Sequence, residues 1–93
     1  MVHDVRRNDE ASRYELLIDG KVAAVADYRA DGNVLTFPHT VVDRSRRGQG
    51  LGAALVRGAL DDVRDRGATV IPTCWFVAEF IGSHPDYADL LAS

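Results

Sequence analysis

The chain is poor in several residue types, and each shortage excludes something. Cys74 is the one cysteine, so no internal disulfide can form and a reducing cytoplasm is the expected compartment. No Cys-x-x-Cys occurs, and His3, His39 and His84 lie far apart, so no metal-ligand set is legible and no metal is expected. No apolar run approaches the roughly 18 residues that a membrane span needs. Met1 to Arg7 lacks the apolar stretch of a signal peptide. Lysine is nearly missing: Lys21 is the only one among eleven Lys and Arg residues. An arginine excess carries no function by itself; where the arginines fall does. There is no Gly-Lys-Ser/Thr, which excludes a P-loop. Repeats, low-complexity tracts and linkers are also absent.

What is present is the balance of a globular protein. Of 93 residues, 46% are apolar and 27% charged, with a net charge of −3. One domain over residues 1–93 is expected, able to bury about 60–65% of its unfolded surface. The first half reads as strands. Tyr14, Leu16 and Ile18 alternate onto one face, and Asp19-Gly20 suits a two-residue hairpin turn into a strand from Lys21 to Tyr28. Ala30 to Asn33 predicts a second turn, and Val34 to Val42 a third strand of the meander. Pro38 within it predicts a bulge or a locally unpaired edge. Val2 to Asn8 adds a short leading strand.

The second half reads as helices around one more strand. Leu51, Leu55, Val56, Ala59, Leu60 and Val63 form the apolar face of a helix from Gly50 to Arg66. Asp62 and Arg66 stand as an i,i+4 pair, and Gly67 suits the C′ position. Ala68 to Pro72 predicts a short buried strand. Thr73 is the expected N-cap of a helix from Cys74 to Ile81, with Trp75, Phe76 and Phe80 as its core aromatics. His84 to Leu91 closes the chain as a short helix, Pro85 near its first turn. The fold class is α+β: an antiparallel β-meander, a right-handed β-α-β crossover and C-terminal helices.

The informative segment is Asp43 to Leu55. Gly48, Gly50 and Gly52 open a helix after a strand, where backbone N–H groups can point into one concavity. The helix start adds about half a positive charge, and Arg44, Arg46 and Arg47 add formal charge. Together they favour a phosphate or pyrophosphate. Gly48, Gly50 and Ala53 match G-x-G-x-x-A, but five residues separate them from the strand, and Val70-Ile71-Pro72 offers no acid for a ribose. A nicotinamide or flavin site is therefore not expected. A nucleic-acid patch is opposed by the acidic balance and the lack of interleaved aromatics.

Arg47-x-x-Gly50-x-Gly52 resembles the [Q/R]-x-x-G-x-[G/A] signature of the Gcn5-related N-acetyltransferases. His39-Thr40, Pro72-Thr73-Cys74 and His84-Pro85-Asp86-Tyr87 resemble elements of that family's short single-domain branch, in order. The resemblance covers about Tyr14 to Leu91. It implies that Arg46, Arg47, Gly48, Gln49, Gly50, Leu51, Gly52 and Ala53 hold the pyrophosphate of acetyl-CoA. It implies that Val41 and Val42 pair with the pantetheine amides where two strands splay, and that the thioester lies near Cys74. A thiolate at a helix start could take the acetyl group, with His39 as base. Direct transfer to an amine needs no cysteine. The family's tyrosine acid has no counterpart between Cys74 and Ile81, and Tyr87 reads as structural. The implied function is acetyl transfer from acetyl-CoA to an unidentified amine; the alternative is an acyl-CoA-binding regulatory module without turnover. No nucleic-acid or membrane partner is expected, and monomer and homodimer are equally consistent.

Overall fold

A computed structural model describes residues 3–92 of the chain. Five strands form one sheet in the order β1-β2-β3-β4-β5. They are β1 (His3–Asn8), β2 (Arg13–Ile18), β3 (Lys21–Asp31), β4 (Val34–Val42) and β5 (Thr69–Ile71). The first four pair antiparallel in chain order, and β5 joins β4 in parallel. Val2 of the expected leading strand lies outside the described residues. Asp19 and Gly20 turn β2 into β3 with φ of 51° and 84°, both left-handed as a type I′ turn requires. The second hairpin is tighter than the composition suggests. β3 runs on to Asp31, which pairs with Val34, leaving Gly32 and Asn33 as the turn.

A 3-10 turn (Arg44–Arg46) leads to α1 (Leu51–Asp65), which crosses back to β5. Its buried residues are the six on the expected apolar face. Arg66 salt-bridges Asp62 at 2.7 Å. Gly67 ends the helix at φ 69°: its N–H bonds to the Arg64 carbonyl and that of Ala68 to the Val63 carbonyl, a Schellman pair. α2 (Trp75–Ser83) and a final 3-10 helix (Pro85–Leu90) follow. The helices pack on the sheet face carrying Tyr14, Leu16, Ala24, Ala26, Leu35 and Phe37. Tyr14 also donates from its hydroxyl to Asp62 at 2.6 Å, tying β2 to α1. At Gly58, α1 passes β1 so closely that an added Cβ would lie 2.7 Å from that of Val5. The opposite face of the sheet carries Arg13, Asp27, Arg29, His39, Val41 and Ile71.

Two expectations are corrected. β5 is not buried as a whole: only Val70 is, while Ile71 is 42% exposed on the far face. Thr73 is not the N-cap of α2. Its hydroxyl donates instead to the Phe37 carbonyl at 3.1 Å, and Cys74, in extended conformation, caps the helix with no side-chain bond. No helix among the described residues is long and apolar enough to cross a membrane.

Candidate active site

The site begins with a count of residues. Between the pairs Asp27–His39 and Arg29–Thr36, β3 has one residue, Tyr28, and β4 has two, Phe37 and Pro38. The extra residue is the bulge that Pro38 predicts, since proline has no N–H for the ladder. A one-residue offset exchanges the faces of everything downstream. In unbroken register His39 would stand opposite Ala26 on the core side. With the bulge it stands opposite Asp27 on the far side, and Thr40 takes the place opposite Ala26.

The other edge of β4 is freed at the same point. β5 pairs only with Val34 to Thr36. The next carbonyl, that of Phe37, accepts from the Cys74 N–H at 2.8 Å and from the Thr73 hydroxyl at 3.1 Å. β4 and the start of α2 then part, and a cavity of about 800 Å³ opens between them.

Of the residues expected at a cofactor, Val41, Val42, Arg46, Arg47, Gly48, Gly50, Leu51, Gly52 and Ala53 line this cavity, as do His39 and Cys74. Gln49 is exposed and is not part of the lining. Gly48 and Gly50 hold φ of 85° and 73°, which turns the chain so that the start of α1 faces the cavity. The first helical bond of α1 runs from the Ala54 N–H to the Gly50 carbonyl, so the N–H groups of Leu51, Gly52 and Ala53 precede it. Gly50 supplies no side-chain cap, and the first turn holds no acidic residue. The electrostatics of such a helix start favour an anion. Asp43 steadies the preceding turn by accepting from the Ser45 N–H and hydroxyl, bonds that hold its carboxyl below the usual range.

At the far end of the cavity, the buried Cys74 donates weakly from Sγ to the Thr40 hydroxyl at 3.9 Å. His39 is exposed, and its Nε2 lies 2.5 Å from Asp27 Oδ2. Sequence reasoning passed over Asp27 and named Thr40 only as part of the His39-Thr40 pair, without a role, because the placement of both depends on the phase of the bulge. Trp75 corrects the expectation of a core aromatic: it is 73% exposed and lines the cavity beside Phe76, while Phe80 is buried. Its position at the first turn of a short helix points it away from the sheet. Tyr87 is structural: it is buried, donates to Asp61 at 2.7 Å, and lies outside the cavity lining. Burial and that hydrogen bond push its phenol up. No cluster of three His, Cys, Asp or Glu among the described residues could hold a metal.

The cavity thus runs from an uncapped helix start without acidic residues to the gap between β4 and α2. The profile of the GCN5-related N-acetyl-transferases matches residues 13–90, and the chain belongs to that family. By class it is an N-acetyltransferase. It is similar to Protein NATD1 from Bos taurus, 31% identical over 84 residues that cover 89% of this chain and 72% of that protein. The ribosomal-protein-S18-alanine N-acetyltransferase from Escherichia coli superposes with a TM-score of 0.59 at 30% identity, over 64% of this chain and 39% of that one. A GCN5-like protein from Staphylococcus aureus shares the fold over 97% of this chain and 88% of its own, with a TM-score of 0.71 at 21% identity. A GNAT family N-acetyltransferase from Escherichia coli, solved in complex with CoA, matches 64% of this chain and 38% of its own at 25% identity, with a TM-score of 0.56. The chain thus spans less than half the length of both Escherichia coli enzymes.

Proposed function

We propose that the protein transfers an acetyl group from acetyl-CoA to an amine, with Cys74 as the first recipient. The observation that carries this reading is a continuous cavity running from the start of α1 to Cys74. The α1 N-terminus, Gly48 and Gly50 suit the pyrophosphate, with Arg46 and Arg47 beside it. Val41 and Val42, on the part of β4 that β5 does not pair, suit the pantetheine amides. The substrate so laid brings its thioester toward Cys74. The Cys74 sulfur attacks the thioester carbonyl, the bond to the CoA sulfur breaks, and CoA leaves with the thiol proton. The amine nitrogen then attacks the acetyl-cysteine, the bond to Sγ breaks, the amine proton passes to His39, and the cysteine thiolate takes a proton from water in the cavity.

The test is intact-mass analysis of the full chain after incubation with acetyl-CoA, with turnover measured over a panel of primary amines. A single acetyl adduct mapped to Cys74, chased off by amine and absent in Cys74→Ala, is expected. Turnover that survives in Cys74→Ala would assign direct transfer. Binding of acetyl-CoA that is never consumed would make the protein an acyl-CoA-binding module instead.

A further inference from the structure

We propose that Asp27 is the positioning residue for His39, and that the acceptor amine reaches the thioester from the sheet face that carries this pair. The inference rests on the acetyl-transfer reading above and adds to it a residue and a direction of approach.

The backbone makes the pair. Asp27 and His39 are direct cross-strand partners only because of the bulge at Phe37 and Pro38. Asp27 Oδ2 stands 2.5 Å from His39 Nε2. A surface ion pair is ordinarily weak because two long side chains must be held in one geometry. Here both side chains are short, and the ladder holds their backbones opposite each other. Arg13, the partner of Asp27 on β2, gives its Nε to Glu15 at 2.8 Å, and the ion pair that Asp27 makes is with His39.

A carboxylate at Nε2 selects the ring form protonated on that nitrogen, and leaves the Nδ1 lone pair to accept a proton. His39 lines the cavity from the far face of the sheet, while Thr40 and Cys74 meet on the core side. The two groups therefore address the thioester from opposite sides of β4. The amine nitrogen comes past His39 and gives its proton to Nδ1 as its bond to the acetyl carbon of acetyl-Cys74 forms; the bond to Cys74 Sγ breaks on the core side, His39 passes its proton to solvent on the open face, and the thiolate takes a proton from water in the cavity. That far face is open, with Val41 and Ile71 exposed on it.

The experiment compares wild type, Asp27→Asn, Asp27→Ala, His39→Ala and the double variant Asp27→Asn/His39→Ala, with acetyl-CoA and a primary amine. Loss of an orienting carboxylate is expected to lower kcat by on the order of ten- to a hundredfold with KM for acetyl-CoA unchanged. The double variant should be no slower than His39→Ala alone. Nitrogen-15 NMR of the histidine ring, in protein without acetyl-CoA, should show Nε2 protonated in wild type and a redistributed proton in Asp27→Ala. Asp27 variants within twofold of wild type, additive losses, or an unchanged ring spectrum would overturn the proposal. Failure of wild type to bind or consume acetyl-CoA would instead sink the reading it rests on, and the ring spectrum would still decide whether Asp27 orients His39.

Discussion

Gly50 and Gly52 sit two residues apart and are glycines for different reasons. At Gly50, φ is 73° and an added Cβ would meet nothing within 4 Å, so the cost of a side chain lies in the backbone. Gly50→Ala should lose about 1–2 kcal/mol by chemical denaturation, the penalty of the left-handed region for an L-residue. At Gly52 the backbone is ordinary helix, but the Cβ would lie 2.9 Å from Phe76 Cζ. Gly52→Ala should push that ring into the cavity and weaken acetyl-CoA in calorimetry more than it lowers the denaturation midpoint. Glu15 shows a third kind of constraint. It is 7% exposed, and burial alone would push its carboxyl up. Hydrogen bonds from Arg13 and Asn8, with the charges of Arg13 and Arg6, outweigh burial and hold it below its ordinary 4.5. A carboxyl lowered by folding supplies stability above its unfolded value, and that stability is lost as pH falls through the folded one. Urea midpoints of wild type should therefore fall between about pH 6 and pH 3 more steeply than those of Glu15→Gln. Equal slopes would show that the Glu15 pairings contribute nothing.

Among the elements, the bulge in β4 does the most with the least sequence. One residue beyond regular pairing brings His39 to Asp27, Thr40 to Cys74, and the Phe37 carbonyl to the start of α2. Deletion of Pro38 should restore continuous pairing, with Phe37 opposite Tyr28 and His39 still opposite Asp27. The expected outcome is an Asp27–His39 pair that survives the loss of the bulge, read as a wild-type nitrogen-15 spectrum of the His39 ring. A deletion variant whose ring proton is redistributed as in Asp27→Ala would disprove this account of the register. The same element explains what the sequence could and could not show. The buried face of α1, its C′ glycine, the Asp19-Gly20 turn and the irregularity at Pro38 are local, and residue type and period reveal them. The glycine loop was legible for the same reason, since its chemistry belongs to consecutive backbone groups. The Asp27–His39 pair was not, because facing depends on how many residues a bulge inserts, and a proline marks a bulge without giving its phase. Trp75 was misjudged because a nine-residue helix of mostly apolar residues has no clear polar face to orient it. Thr73 looked like a cap by type, but a free carbonyl on β4 competed for its hydroxyl.

At the scale of the molecule, the net charge opposes the proposed substrate while the turn before α1 favours it. The chain carries a net −3, which repels a polyanion such as acetyl-CoA. Arg44, Arg46 and Arg47 fall together on the turn before α1, whose first turn has no acid, and Arg46 and Arg47 line the cavity, so positive charge gathers at its mouth. Binding should then be strong at low salt and weaken as salt screens these arginines over about 10 Å at 0.1 M. A ligand that binds only the folded chain, at a hundred times its Kd, adds about 2.7 kcal/mol. For a domain of this size, that raises the melting temperature by roughly 10–20 °C, at about 4–8 °C per kcal/mol. Thermal shifts with CoA should approach this at low salt and shrink on salt addition, while those with pantetheine, which lacks the phosphates, should be small and insensitive to salt. Arg47→Ala should flatten the salt response of CoA without touching that of pantetheine. Identical shifts for the two ligands would place no phosphate at the start of α1, and the assignment of the glycine loop would fall with them.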